Sequence, residues 1–215
     1  VVGFDINNKR IKALNQYNDI TDETSSKSLK KALSKNLKIT SLESDISNSD
    51  VFIVTVPTPI TEKKIPDLSY LKSASRTVGS YLKPDNVVIF ESTVYPGCTE
   101  EDCVPILEAE SNLSYQKDFH CGYSPERINP GDKTNTLTKI KKITSGSSPE
   151  ISDFVDELYG SIIKAGTHKA SSIKVAEAAK SVENVQRDLN ISLVNELAII
   201  FDLLDIDTKE VIDAA

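Results

Sequence analysis

The sequence has no tryptophan, only three cysteines and two histidines, and no apolar run as long as a bilayer crossing. A disulfide scaffold uses a larger and even set of cysteines, so three predict a chain kept in the reducing cytosol. A membrane-spanning helix needs roughly 20 mostly apolar residues, and no signal-peptide pattern opens the chain. We therefore expect a cytoplasmic protein without a membrane segment.

Methionine is also absent, and the first residue is Val1. An average protein of this length contains several methionines, so we expect the sequence to be a fragment or to have lost residues. Basic residues are the minority, with 25 Lys and Arg against 32 Asp and Glu, which gives a net charge of −7. General binding to nucleic acid or to an anionic membrane needs a basic face, so we expect neither partner.

Short apolar runs alternate with segments of helical periodicity along the first three quarters of the chain. Residues 51–56 and 87–90 are apolar at nearly every position, which is typical of strands covered on both faces of a parallel sheet. A helix predicted over 99–111 begins with Thr99 and Asp102 in the spacing of a capping box. The alternation predicts a doubly wound, Rossmann-like α/β domain with a parallel sheet over residues 1–165.

The last quarter of the chain differs, since residues 172–206 contain neither glycine nor proline. This predicts one helix about 50 Å long, which usually bridges two domains or forms a subunit interface. We expect residues 166–215 to form this long connecting helix and the start of the next helix. We also expect a homodimer through 172–206, because these residues form one apolar stripe: Leu189, Leu193, Leu197, Ile200 and Leu204.

Candidate ligand-binding residues follow the predicted strands, because open parallel sheets bind ligands beyond their carboxyl strand ends. Asp5 could bind the ribose hydroxyls of a dinucleotide and repel a 2′-phosphate, or it could cap the following helix. No G-x-G-x-x-G motif occurs among the eight glycines. If Asp5 ends the second strand of a dinucleotide fold, that turn belongs roughly 20 residues earlier, before Val1.

Polar residues after three later strands are also candidates. Thr58, in Val56-Pro57-Thr58-Pro59, either contacts a ligand or belongs to an ordinary strand terminator. Thr93, which precedes a turn, either contacts a cofactor or forms a local side-chain-to-backbone bond. Glu126 lies in a proline-containing loop and is either a general base or, with Arg127, part of an ordinary surface loop.

Lys180 and Asn184 lie four apart and therefore on one face of the long helix. Both can donate to a developing oxyanion, although the alternative is a solvated polar stripe, as we expect for Glu183 with Arg187. The spacing of the cysteines and histidines predicts no metal site. No activating base is visible beside any of the cysteines, which are Cys98, Cys103 and Cys121.

Together these segments resemble the nucleotide-sugar 6-dehydrogenases, the UDP-glucose/GDP-mannose dehydrogenase family. The likeness is greatest to the bacterial branch that acts on UDP-N-acetylhexosamines. The segments that carry it are Asp5-Ile6-Asn7 with Arg10, Val56-Pro57-Thr58-Pro59, Glu91-Ser92-Thr93-Val94-Tyr95-Pro96-Gly97, Tyr123-Ser124-Pro125-Glu126-Arg127-Ile128-Asn129-Pro130-Gly131, and Ala176-Glu177-Ala178-Ala179-Lys180 with Glu183-Asn184.

The resemblance implies an NAD-dependent, four-electron oxidation of the sugar C6 alcohol to a carboxylate, through an aldehyde and an enzyme-bound thioester. The substrate implied is a UDP-N-acetylhexosamine of the GlcNAc or GalNAc type, for capsule or O-antigen synthesis. The cofactor residues implied are Asp5, Arg10, Val56, Pro57, Thr58 and Thr93. The catalytic residues implied are Thr93, Glu126 as the activator of water, and Lys180 with Asn184 as oxyanion stabilisers. The substrate-binding residues implied are Arg127, Ile128, Lys180 and Asn184.

The chain departs from the family pattern in three ways. Pro130 stands where the UDP-glucose enzymes have a second glutamate, which favours the acetamido-sugar branch. The glycine-rich turn is missing, and so is the second domain with the nucleophilic cysteine. We therefore expect this fragment to be inactive alone. The alternatives are a UDP-glucose 6-dehydrogenase and a dinucleotide-fold module without catalytic activity.

Overall fold

The computed structural model describes residues 1–128 and 136–215, and Pro130 lies outside them. The described residues form seven strands: β1 Val2–Phe4, β2 Lys38–Thr40, β3 Val51–Val54, β4 Val87–Phe90, β5 His120–Tyr123, β6 Lys142–Gly146 and β7 Thr167–Lys169. They also form seven α-helices: α1 Asn8–Asn15, α2 Ser26–Leu33, α3 Ser69–Gly79, α4 Val104–Ser111, α5 Pro149–Gly160, α6 Ile173–Leu203 and α7 Thr208–Ala214. The predicted alternation of strands and helices is confirmed.

Five strands form one sheet in the order β3-β4-β5-β6-β7, and β1 pairs with β2 in a separate parallel pair. Strands β3, β4 and β5 are parallel, with Phe52 opposite Val88 and Val88 opposite Cys121. Strand β6 is antiparallel to β5, a reversal that the sequence analysis did not predict. Antiparallel neighbours need no crossover helix, and the described residues between these two strands contain only a short 3-10 turn at Leu137–Lys139.

The central strand β4 is covered on both faces, as its apolar sequence predicts. Val88 and Phe90 point to one side, where helices α3 and α4 and the first turns of α6 supply the other apolar side chains. Val87 and Ile89 point to the opposite side and pack against helix α5. This alternation follows from the two-residue period of a strand.

Strand β3 is less covered than predicted. Phe52 and Val54 are buried, but Ile53 is 47% exposed and residues 55–56 lie beyond the end of the strand. The reason is position, because β3 is the first strand in the order of the five-stranded sheet. Helix α5, which covers Ile89 of β4, buries Val51 only partly.

Helix α6 confirms the predicted long helix over 31 residues, slightly shorter than the predicted 172–206. The Ser172 hydroxyl accepts the Val175 N–H at its start, and Leu204 ends it. Asp207 then caps α7, as its position before Thr208 predicts. In the described part of the chain, no helix is long and apolar enough to cross a membrane.

Candidate functional site

A cleft of about 390 Å³ opens at the carboxyl ends of β3 and β4. Ligands bind at this edge in open α/β sheets. Eight residues line it: Thr55, Val56, Pro57, Thr58, Glu91, Ser92, Thr93 and Glu126. Five of these are residues that the sequence analysis selected for a cofactor or catalytic site, so the structure brings that part of the predicted set together.

Two hydroxyls join the loops that form the cleft. Ser92 donates to the carbonyl oxygen of Val56 at 2.6 Å, and Thr58 donates to that of Thr93, also at 2.6 Å. The Thr58 proton therefore joins two loops through a backbone carbonyl 35 residues away, a contact that the sequence analysis did not predict, while its oxygen can still accept a bond. Thr93 is exposed and lines the cleft with its side-chain hydroxyl.

Asp5 lies at the end of β1 and does not line the cleft. Its carboxylate accepts the Asn7 N–H at 2.8 Å and lies 3.9 Å from the Arg10 guanidinium. Asn7 caps helix α1, so the alternative that Asp5 caps it is wrong. A partly exposed carboxylate at a strand end can accept bonds from a ribose diol, and Asp5 thus fits an adenosine-binding position.

Glu126 is held in place by three donors. One carboxylate oxygen accepts the N–H groups of Arg127 at 2.6 Å and Ile128 at 2.9 Å. The other oxygen accepts from Lys142 Nζ at 3.3 Å. The side chain is 39% exposed, so it faces the cleft while its orientation is fixed. These contacts favour the general-base interpretation over an ordinary surface loop, and the role of Glu126 stays a prediction.

Lys142 is the centre of a cluster that sequence reasoning missed. Its side chain is only 2% exposed, and Nζ also contacts Glu91 Oε2 at 3.0 Å. The Tyr159 hydroxyl donates to Glu91 Oε1 at 2.5 Å, and the Tyr159 ring lies 5.1 Å from Nζ. Burial raises the pKa of Tyr159, with Glu91 adding to the shift. A lysine within the otherwise uncharged strand Lys142–Gly146 was the one available signal.

Lys180 is buried in helix α6, with 5% of the residue exposed. Burial lowers the pKa of Lys180. The Glu183 carboxylate, 4.0 Å from Lys180 Nζ, opposes this shift. Arg127 also lowers the pKa of Lys180, and Glu126 raises it. The predicted alternative of a solvated stripe is wrong for Lys180. Asn184 lies one helical turn further on and is half-buried.

Glu183 connects the Glu126 loop to helix α6. It accepts from Arg127 Nε and from Arg187, each at 2.9 Å. Its side chain is largely buried, whereas that of Arg187 is exposed, so the predicted solvated pair is only half correct. Arg127 also donates to the carbonyl oxygen of Lys141, which fixes its guanidinium between the loop and the helix.

A second buried glutamate joins helix α6 to the loop that carries Thr93. Both oxygens of Glu177 accept backbone N–H groups, from Gly97 at 2.5 Å and from Thr99 at 2.9 Å. Burial raises the pKa of Glu177, and these hydrogen bonds oppose the shift. Gly97 has φ of +99°, a conformation that favours glycine.

This contact replaces the predicted capping box. Residues Thr99–Cys103 form a π-helical turn, and no side chain caps it. The carboxylate of Asp102 instead pairs with Lys72 at 2.8 Å and accepts from the Tyr95 hydroxyl. The prediction failed because the Thr99 N–H is satisfied by Glu177, a residue 78 positions away in the chain.

Comparisons with known proteins agree with this architecture. Residues 1–163 match the NAD binding domain of the UDP-glucose/GDP-mannose dehydrogenase family, and residues 174–215 match its central domain. Over 215 residues the chain is 60% identical to the UDP-N-acetyl-D-glucosamine 6-dehydrogenase of Pseudomonas aeruginosa and 58% identical to that of Salmonella typhi. Each match covers 100% of this chain and 50% of the relative.

A solved structure of a UDP-D-ManNAc dehydrogenase from Pyrococcus horikoshii aligns with a TM-score of 0.92 at 35% identity. That alignment covers 100% of this chain and 51% of the other. The chain thus spans about half the length of the relatives it matches. On the two domain matches and these identities, the chain belongs to the UDP-glucose/GDP-mannose dehydrogenase family.

Proposed function

We propose that the protein to which this chain belongs oxidises the C6 alcohol of a UDP-N-acetylhexosamine to a carboxylate with NAD. The observation that carries the proposal is the cleft beyond β3 and β4, which Thr93 and the fixed carboxylate Glu126 line. The neighbouring Arg127 binds Glu183, which in turn lies 4.0 Å from the buried Lys180. Identity of 60% to a protein named UDP-N-acetyl-D-glucosamine 6-dehydrogenase supports the substrate class.

In this proposal residues 1–165 bind the cofactor and 166–215 connect them to the rest of the protein. NAD, when bound, accepts hydride from C6. The chain's own part is to hold the adenosine ribose at Asp5 and Arg10 and to contact the cofactor at Thr58 and Thr93. Val56 and Pro57 shape the wall between these positions.

Negative charge develops on the C6 oxygen during oxidation, and Lys180 with Asn184 stabilises it by donating hydrogen bonds in a site shielded from water. Glu126 activates the water that releases the carboxylate product, a task that suits a fixed, partly exposed carboxylate. Arg127 and Ile128 position the sugar nucleotide beside it. The second domain of the relatives, which this chain does not span, supplies the remaining groups.

The substrate assignment is tested with the full-length protein by following NADH formation from UDP-GlcNAc, UDP-GalNAc and UDP-glucose. We expect kcat/KM to be at least tenfold higher for one of the acetamido sugars, since a methylene-sized difference is worth about 1–3 kcal/mol in a shaped pocket. A preference for UDP-glucose would reassign the protein within its family. No NADH with any of the three would favour a dinucleotide-fold module without catalytic activity.

The cofactor assignment has a separate test at Asp5. The Asp5→Ser variant should bind NAD more weakly and NADP more tightly, because the carboxylate that repels the 2′-phosphate is gone; we expect the NADP/NAD affinity ratio to rise about tenfold. Asp22→Ser, at an exposed position, is the control and should bind both as the wild type does. An unchanged ratio at Asp5 would remove it from the cofactor site.

We further propose that the protein is a cytoplasmic homodimer that pairs through 172–206 and supplies a capsule or O-antigen pathway. The three described cysteines are free and buried, which fits a reducing compartment. Apolar side chains along α6 are exposed, which fits an interface.

A further inference from the structure

Lys142 is a charged group at almost zero exposure that the proposed chemistry does not use. Its ammonium lies between two carboxylates that both line the cleft, 3.0 Å from the largely buried Glu91 and 3.3 Å from the more exposed Glu126. Burying a lysine is costly unless its partners are fixed. Here Glu91 is itself fixed by the Tyr159 hydroxyl at 2.5 Å.

We propose that Lys142 is a positioning residue, which together with Glu91 and Tyr159 holds the Glu126 carboxylate directed into the cleft. The proposal rests on the proposed function of Glu126 as the group that activates water. Lys142 acts through Glu126, because among the described residues its ammonium contacts the two carboxylates and the Tyr159 ring.

The geometry shows why a buried cation is needed at this place. Two carboxylates that share one ammonium within 3.3 Å lie close enough to repel each other strongly when the cation is removed. Glu91 cannot move away, since it is held by Tyr159, whereas Glu126 lies on a loop and is partly exposed. Without Lys142, Glu126 therefore either takes up a proton or swings towards solvent, and either change removes a fixed base from the cleft.

Other charged groups act on Glu126 as well. Lys180 of α6 attracts it, Glu91 just after β4 repels it, and Arg127 lies next to it in the loop. Among the residues that the structure describes, the titratable groups of this neighbourhood are Glu91, Arg127, Lys142, Tyr159, Lys180, Glu183 and Arg187. Lys142 alone among the described cations is within hydrogen-bond distance of the Glu126 carboxylate.

The experiment compares Lys142→Met, Lys142→Arg and the double variant Lys142→Met/Glu91→Gln in the full-length protein. We expect Lys142→Met to lower kcat at least tenfold at pH 6.5 while the KM for NAD changes less than twofold. The acid limb of its pH–kcat profile should move to higher pH by about one unit or more, because loss of a neighbouring opposite charge favours protonation of Glu126.

The other variants separate positioning from simple structural support. Lys142→Arg keeps the cation and should retain the wild-type acid limb. Lys142→Met/Glu91→Gln removes the repulsion together with the cation, so its acid limb should move back towards that of the wild type. The double variant also leaves no unpaired charge on Glu91, so it keeps the test available if Lys142→Met alone does not fold.

The positioning role would be overturned if Lys142→Met kept the acid limb of the wild type. It would also be overturned if all three variants lost kcat equally and none of their acid limbs moved. Glu126→Gln distinguishes this from failure of the proposed function. If Glu126→Gln retains wild-type turnover, Glu126 is not the base and the proposed function of this residue fails first. If Glu126→Gln is impaired and Lys142→Met is not, only the role of Lys142 is wrong.

Discussion

The two ends of helix α6 differ in which side chains they bury: charged ones at the start, and few of the apolar ones further along. In its first turns Glu177 and Lys180 are buried beside Ile173 and Ala176. From Val182 onwards the apolar side chains are exposed instead, among them Val182, Val185, Leu189, Leu193, Ile200 and Leu203. Charge inside and apolar groups outside are both costly in an isolated chain, which supports the proposed site at the first turns and the proposed interface along the rest of the helix.

The largest expected effect comes from a substitution at the buried end of helix α6. Lys180→Ala in the full-length protein should lower kcat by roughly 10²–10³-fold, the usual cost of removing one donor to a developing oxyanion. The fold should survive, because the lost group is a buried charge. Steady-state kinetics and thermal unfolding measure the two properties separately.

Lys174→Ala is the matched control for that prediction. Lys174 lies on the same helix, is exposed and pairs only with the exposed Glu101 among the contacts described. The Lys174→Ala variant should have the same kcat as the wild type. Near-wild-type kcat in Lys180→Ala would show that burial of this lysine has no catalytic purpose.

The next effect tests the exposed end. Leu189 is 62% exposed, and the double variant Leu189→Arg/Leu193→Arg places two like charges on the apolar stripe. If the stripe is a homodimer interface, this variant should be monomeric at micromolar concentration in sedimentation. Asn195→Arg, on another face of the helix, is the control and should remain dimeric. A wild-type monomer would contradict the proposed interface.

A smaller effect concerns Glu177, which joins the buried end to the Thr93 loop. Glu177→Ala leaves the N–H groups of Gly97 and Thr99 without acceptors, and the free energy of unfolding should fall by roughly 2–5 kcal/mol. Glu101→Ala removes only an exposed ion pair and should cost less than about 0.5 kcal/mol. If urea unfolding gave equal losses of unfolding free energy in the two variants, the buried hydrogen bonds would contribute no more than the exposed ion pair.

The smallest effect is a pH dependence at Lys180. Its pKa is lowered in the folded chain by burial, so the folded state binds fewer protons than the unfolded state between the lowered pKa and 10.5. Stability should therefore rise with pH across that window. In Lys180→Met this contribution disappears, and urea unfolding from pH 7 to 10 should show a flatter slope. An unchanged slope would show that the buried ammonium is well solvated.

The sequence predicted the elements of this fold better than their connections. Residues 87–90 and the long helix were recognisable because apolar period and missing helix breakers are local signals. The antiparallel direction of β6 was not recognisable, because strand direction depends on long-range pairing. The exposure of Ile53 was missed for the same reason, because a strand's place in the sheet order is not written in its own residues.

The candidate site divides in the same way. Thr93, Glu126 and Lys180 were selected from motif and helix spacing; Thr93 and Glu126 line the cleft, and Lys180 is buried in α6. Lys142 and Glu177 were missed, although both are buried, because their partners are distant in the chain. A charged residue within a predicted strand or core-facing helix turn is the signal that could have found them.

The most direct test of the account counts NADH released per molecule of UDP-N-acetylhexosamine consumed by the full-length protein. Two NADH per sugar, with a uronic acid as product, is the result expected for complete oxidation of C6. One NADH per sugar with release of an aldehyde, or consumption of sugar without NADH, would contradict it.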